Sequence, residues 1–218
     1  GGSEVILSAQ KEALTITGDA GVDKITGGEG IDTIDTGKGD DIITGGKRND
    51  IITGGAGDDI ITGGTGVDTF KVDVGTDTIT DLGGSSGGES DKLIISKDAT
   101  VKATVSVSFT ATSDTLNHVD NAVTKAIIST DTDGATIDMS AASAGVFTLT
   151  GNDGVDKLTG GAGADTIDGG KGDDIITIAT AGHGDTDVMD GGVGADVLQL
   201  STGKHTFADD TKLANIET

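Results

Sequence analysis

The apolar positions of much of this chain recur every nine residues, a period that fits neither a helix nor a lone alternating strand. From Gly18 it runs GDAGVDKIT, GGEGIDTID, TGKGDDIIT, GGKRNDIIT, GGAGDDIIT and GGTGVDTFK. The eighth place is always large and apolar (Ile25, Ile34, Ile43, Ile52, Ile61 and Phe70), and the sixth is always Asp. The next nine residues, VDVGTDTIT, keep Asp77 and Ile79 but lose the leading glycines. A second run starts at Gly151 with GNDGVDKLT, GGAGADTID and GGKGDDIIT. Four inserted residues, IATA at 178–181, break the frame, which resumes as GHGDTDVMD and GGVGADVLQ with Met189 and Leu198 in the apolar place. So short and constant a period indicates a repeat architecture.

Each unit divides into a six-residue glycine turn and a three-residue strand. Glycine permits positive φ and close backbone approach in the turn. In the strand the eighth residue points to one face, and the seventh and ninth point to the other. Two units make one coil of roughly 18 residues, with strands on opposite sides and eighth-place side chains between them. Turns two units apart then stack about 4.8 Å apart on one edge. Aspartates that close repel unless a cation lies between them.

Composition agrees. Only 33% of residues are hydrophobic, with four Phe and no Trp or Tyr, against 38 Gly. That is little apolar material with which to stabilise a wide core by burial alone. Asp and Glu number 37 against 14 Lys and Arg, a formal net charge of −23. Such a field repels nucleic acid and anionic membrane and attracts cations. There is no Cys, hence neither a disulfide nor a thiolate metal site. No apolar run approaches the length of a membrane span. GGSEVILSAQKEALTI lacks the basic and apolar regions of a Sec signal. Gly1, Gly2 and Ser3 read as a linker, so a fragment of a longer chain is expected.

The consensus GGxGxDxUx resembles the RTX (repeats-in-toxin) family of calcium-binding repeats. The resemblance implies an all-β parallel β-roll with Ca²⁺ held between successive turns on each edge. The implied ligands are the sixth-place aspartates and main-chain carbonyls of the glycine turns. In the first array Asp23, Asp41, Asp59 and Asp77 lie on one edge and Asp32, Asp50 and Asp68 on the other. In the second, Asp156, Asp174 and Asp196 oppose Asp165 and Asp187. The implied carbonyl donors are Gly27, Gly28, Gly30, Gly45, Gly54, Gly55, Gly57, Gly63 and Gly64 in the first array. In the second they are Gly160, Gly161, Gly163, Gly169, Gly170, Gly172, Gly191 and Gly192. About eight ions are implied, all bound by hard oxygen donors. Three features depart from the pattern. Arg48, beside Lys47 and Asn49, replaces the fourth glycine next to Asp50 and predicts a weak or absent site there. Thr36 replaces a leading glycine, and the IATA insertion separates Asp165 from Asp187.

The expected organisation is a leading strand or linker over 1–17, a first β-roll over 18–80, and a capping, strand-rich spacer over 81–150. A second β-roll over 151–200 and a C-terminal cap over 201–218 follow. Either Asp81 or Asp91 could complete a last calcium site. Residues 99–112 alternate apolar and Ser/Thr, as half-buried strands do. Residues 114–128 fit a short helix or a loop and strand, and 135–151 read as strands leading into the second roll. Phe207, Leu213 and Ile216 are expected to close its end.

Other chemistry is poorly supported. GGSSG at 83–87 matches a nucleophile elbow, but Ser85 is followed by Ser86, Gly87 and Gly88 rather than a helix. His118, His183 and His205 are scattered, with no HExxH. STDTDG at 129–134 begins like an EF-hand loop, yet places Ser at positions one and twelve, so a turn at Asp133-Gly134 is the better reading. There is no GxxxxGK[ST] phosphate loop. The reading is a non-enzymatic extracellular module that folds on binding Ca²⁺. By resemblance it belongs to a surface-layer (S-layer) protein exported by a type I system and self-associating into a calcium-dependent lattice, without membrane insertion. The alternatives are part of a large adhesin, or the C-terminal RTX domain of a secreted protease or lipase.

Overall fold

The computed structural model describes residues 1–83, 91–96, 99–105, 108–111, 116–117, 125–130, 134–142, 145–178, 187–201 and 213–216. Every strand pair in it is parallel. One side is a single eleven-stranded sheet. In order it holds β1 (Glu4–Ile6), β3 (Lys24–Thr26), β5 (Ile42–Lys47), β7 (Ile60–Thr65), β9 (Gly75–Ile79) and β11 (Ala99–Val105). It continues through β14 (Lys125–Thr130), β16 (Phe147–Thr150), β18 (Thr166–Asp168), β20 (Val188–Asp190) and β22 (Leu213–Ala214). Both arrays and the segment between them therefore lie in one continuous parallel solenoid.

The facing side is in two pieces. A six-stranded sheet holds β2 (Thr15–Thr17), β4 (Thr33–Asp35), β6 (Ile51–Thr53), β8 (Thr69–Val72), β10 (Lys92–Ile95) and β13 (Leu116–Asn117). A five-stranded sheet holds β12 (Ser108–Thr110), β15 (Thr136–Asp138), β17 (Lys157–Gly160), β19 (Ile175–Ile178) and β21 (Val197–Leu200). At the break the spatial order departs from the chain order. β12 comes first in sequence but pairs with the later β15, and β13 pairs back to β10.

The nine-residue register explains the core. In β2 and β4 only the middle residue is buried, and the same holds for the three-residue strand of every unit in the first array. Ile25, Ile34, Ile43, Ile52, Ile61 and Phe70 stack between the two sides with at most 1% exposure. Each buried aliphatic side chain contributes about 2–3 kcal/mol, while seventh-place residues such as Ile42, Ile51 and Ile60 face outward. Parallel pairing brings each turn to lie over the turn 18 residues earlier, and this places the aspartates. β5 and β7 run on into the next turn, pairing Gly46 with Gly64 and Lys47 with Thr65.

Among the described residues there is no helix, so none is long and apolar enough to cross a membrane. The helical option for 114–128 finds only β13 and the start of β14 among its described residues. Leu213 and Ile216 are partly buried against the core. Phe207, Ser85 and the three histidines lie outside the described residues, as do the insertion beyond Ile178 and Asp133.

Candidate metal centres

The backbone arranges the sixth-place aspartates into ladders. On one edge of the first array the Asp23 amide donates to Asp41 Oδ1 (2.7 Å), Asp41 to Asp59 (2.8 Å) and Asp59 to Asp77 (3.1 Å). On the other, Asp32 donates to Asp50 (2.7 Å), Asp50 to Asp68 (2.8 Å) and Asp68 to Asp91 (2.8 Å). That last step spans 23 residues instead of 18. Asp91 thus continues the ladder across a broken frame. Asp81 is held differently, accepting the amides of Gly63 (2.9 Å) and Gly64 (2.8 Å).

The second array repeats the arrangement. Asp156 donates to Asp174 (2.7 Å), Asp174 to Asp196 (2.8 Å) and Asp165 to Asp187 (2.8 Å). The last two steps span 22 residues, so the four-residue insertion leaves the stacking intact. The lowest carboxylates use the preceding segments. Ser3 and Leu14 donate to Asp23 and Asp32, and Ala135 and Phe147 donate to Asp156 and Asp165.

All thirteen of these aspartates are at most 2% exposed, so water does not solvate them. One oxygen of each accepts a backbone amide. The other, Oδ2, has no hydrogen-bond partner in Asp41, Asp50, Asp59, Asp77 and Asp174. A buried carboxylate oxygen left in that state is costly unless a proton or cation reaches it. Burial is the largest cause pushing Asp50, Asp59 and Asp174 up to about 6, and Asp68 and Asp77 up to about 7. Amide hydrogen bonds oppose the rise, and neighbouring ladder aspartates add to it. Burial likewise raises Asp81. Asp23 is lowered, chiefly by hydrogen bonds from the Asp19 and Ser3 amides.

Glycine at the first place of a unit leaves room beside these oxygens. A Cβ on Gly45 would sit 2.7 Å from both Asp50 Oδ2 and Gly63 O. On Gly169 it would lie 2.6 Å from Asp174 Oδ2 and hard against the Gly191 carbonyl. Gly27 has the same surroundings, with Asp32 Oδ2 at 2.7 Å and the Gly45 carbonyl. First-place carbonyls of Gly45, Gly63, Gly169 and Gly191 thus converge on the same space as carboxylate oxygens of the coil before. Gly54, Gly63 and Gly160 each leave space beside the Oδ2 of their own unit's aspartate, at 2.9 Å for Gly160.

Second-place carbonyls do something else. Those of Gly28, Gly55 and Gly170 accept the amides of Lys47 (3.0 Å), Val74 (3.1 Å) and Val193 (2.8 Å) one coil later. The fourth-place Gly57, Gly163 and Gly172 pack against carbonyls of the turn before, leaving no room for a side chain, and Gly30 does so against Glu12. Gly161 and Gly64 donate amides to Asp165 and Asp81. A Cβ on Gly192 would strike the Gly170 carbonyl.

The donor set is entirely oxygen, which suits a hard cation such as Ca²⁺ and not zinc. No group of three or more His, Cys, Asp or Glu side chains gathers as a metal site among the described residues. Turn carbonyls beside the aspartates would supply further oxygen ligands to a cation here. The residues fit the ion that the repeat pattern implies. Beside Asp50, Arg48 adopts a left-handed φ of 71° where other units have glycine, and Lys47 pairs with Glu29 (2.9 Å). The Asp50 carboxylate keeps its place in the ladder nonetheless.

One polar feature lay unread in the sequence. Asp40, Asn49, Asp58 and Asp173, each just before a ladder aspartate, accept fifth-place amides of the next coil at 2.8–3.0 Å. The Asp-Asp and Asn-Asp doublets were its visible sign.

Comparison with protein families finds four matches to the model of the RTX calcium-binding nonapeptide repeat, at residues 17–47, 44–79, 148–177 and 181–198. Together they cover just over half of the chain. Searches of curated proteins and of solved structures returned no match. The ladders, the glycine spaces and the matched repeats agree, and the chain belongs to the RTX calcium-binding nonapeptide repeat family.

Proposed function

We propose that this chain is a structural segment of a secreted cell-surface protein, folded by calcium outside the cell and contributing to an S-layer lattice. The observation that carries the calcium part is the row of buried Asp Oδ2 atoms without hydrogen-bond partners, each in a turn stacked on another. The ladder aspartates whose Oδ2 is unpartnered, with nearby first-place carbonyls such as those of Gly63 and Gly191, would hold the ions. Bound calcium supplies positive charge between stacked carboxylates, so binding free energy becomes folding free energy. The chain's own part is to hold carboxylates and carbonyls in register through the amide ladder and to keep water out. Proteins with these repeats are typically secreted and extracellular.

Support for the surface-lattice role comes from the Thr/Ser/Ala-rich, nearly aromatic-free spacer flanked by two arrays in one continuous solenoid. Such a solenoid offers the parallel sheets on its sides for contact with neighbours. The test is scattering from the chain titrated from chelator into millimolar Ca²⁺. The radius of gyration is expected to fall from about 50 Å towards ~20 Å, followed by calcium-dependent growth into ordered sheets visible by electron microscopy. A particle that compacts and stays monomeric at high concentration would remove the lattice role and leave an adhesin extender or a carrier domain.

A further inference from the structure

Two kinds of stacked turn stand out below the last ladder step, where Asp91 Oδ2 accepts the Gly83 amide (2.8 Å). In the leading turn on each edge of each array, the second carboxylate oxygen is taken by its own backbone. Asp23 Oδ2 accepts the Asp19 amide (3.0 Å), and Asp32 Oδ2 that of Gly28 (2.8 Å). Asp156 Oδ2 accepts the Asn152 amide (2.9 Å), and Asp165 Oδ2 that of Gly161 (2.8 Å). The donor is always the second residue of the unit, and none of the four has a left-handed φ.

In the turns of Asp41, Asp50, Asp59 and Asp174 the second residue is a left-handed glycine. Gly37, Gly46, Gly55 and Gly170 have φ of 98°, 125°, 96° and 97°, and the Oδ2 atoms have no hydrogen-bond partner. Each of these turns is also bonded to the turn beneath. The third-place amides of Lys38, Lys47, Ala56 and Lys171 donate to second-place carbonyls one coil earlier, those of Asp19, Gly28, Gly37 and Asn152 (2.7–3.1 Å). The closed turn of Asp32 makes the same kind of bond, from the Glu29 amide to the Gln10 carbonyl, so these four turns differ from it in their left-handed second glycine and not in this bond. Asp77 behaves the same way without a second-place glycine. Val74 donates to Gly55 O (3.1 Å), and Asp77 Oδ2 is likewise unpartnered. A leading turn has no nonapeptide turn below it and closes on its own carboxylate, satisfying a buried amide.

The two arrays begin alike. Residues 18–44 and 151–177 are identical at 21 of 27 positions. Their first units carry Asp19 and Asn152 in the second place, and neither has a left-handed φ. The same two closing units and then an opening one start each array.

We propose that the leading pair of units in each array, Asp23 with Asp32 and Asp156 with Asp165, is a cation-independent cap. Its four Oδ2 atoms are closed to Ca²⁺, and ions enter only from the second turn on each edge upward. This rests on the calcium reading above. The cap supplies a turn of fixed shape on which the first cation-binding turn can stack.

The direct test is anomalous scattering from crystals of the unaltered full chain grown in Ca²⁺. Peaks are expected beside Oδ2 of Asp41, Asp50, Asp59, Asp77 and Asp174, with none in contact with Oδ2 of the four leading aspartates. A peak bound to any leading Oδ2 would overturn the cap, and no peaks anywhere would overturn the calcium reading itself. In solution, Asp23→Asn with Asp32→Asn should leave the number of bound ions unchanged by equilibrium dialysis. Asp41→Asn with Asp50→Asn should lower it by at least two. Equal losses in the two doubles would contradict the proposal.

Discussion

The nonapeptide arrays and the segment between them share one solenoid but are held by different chemistry. An array offers the core one large apolar residue per nine and, on each edge, a buried carboxylate per coil. Between the arrays, β11 alone buries Ala99, Val101, Ala103 and Val105. Ala126, Ile128, Phe109, Phe147 and Leu149 join it. No ladder aspartate stands between Asp91 and Asp156 among the described residues. Where apolar density suffices, a coil closes without buried charge. Where glycine and aspartate replace it, the coil carries carboxylates that burial pushes towards neutrality, and a cation resolves the conflict.

The sharpest way to break this contrast is to weaken each region by its own chemistry. Phe109→Ala should cost about 3–5 kcal/mol, by the same amount in chelator and in calcium, in denaturant melts of the spacer. Asp41→Asn with Asp59→Asn should act only through the ion. A rise of about tenfold in the calcium midpoint, ~1.4 kcal/mol, is expected, and an unchanged midpoint would detach those residues from binding.

Acidity separates the regions more gently. Asp50, Asp59 and Asp174 rise to about 6, and Asp68 and Asp77 to about 7. The folded arrays therefore hold protons that the unfolded chain releases near pH 4. Their metal-free stability should be full below that pH and lost as pH rises through about 6 to 7. Circular dichroism in chelator should show more β-structure at pH 4.5 than at pH 7.5. Calcium should reverse that order, since protons compete with it for the same oxygens.

The smallest expected effect is at Thr36. Its buried hydroxyl donates to Gly54 O (2.7 Å), in the place that first-place glycines leave open. Thr36→Gly should free that carbonyl and lower the calcium midpoint by roughly twofold, ~0.4 kcal/mol, read by calorimetric titration. A raised midpoint would mean that the hydroxyl assists the ion.

The core ladder and the aspartate-bearing edges were legible because the eighth and sixth places never slip within an array. Beyond the period, legibility fell. Asp91 could be read only as one of two options with Asp81, because no frame connects residue 68 to residue 91. Its place was settled by an amide, that of Asp68. The exchange of β12 and β13 between sheets has no signature in the short alternating stretches that form them. Nor does a consensus reveal the two kinds of turn. Gly28 and Gly46 are the same residue at the same place in the unit, yet only Gly46 takes a left-handed φ.

Hydrogen exchange read region by region, from chelator into saturating Ca²⁺, tests the central contrast most directly. Amides of residues 36–80 and 169–178 should exchange freely without calcium and become protected with it. Those of β11, β14 and β16 should be protected more strongly than the arrays before any calcium is added. Arrays already protected in chelator, with no further gain on adding calcium, would contradict the account.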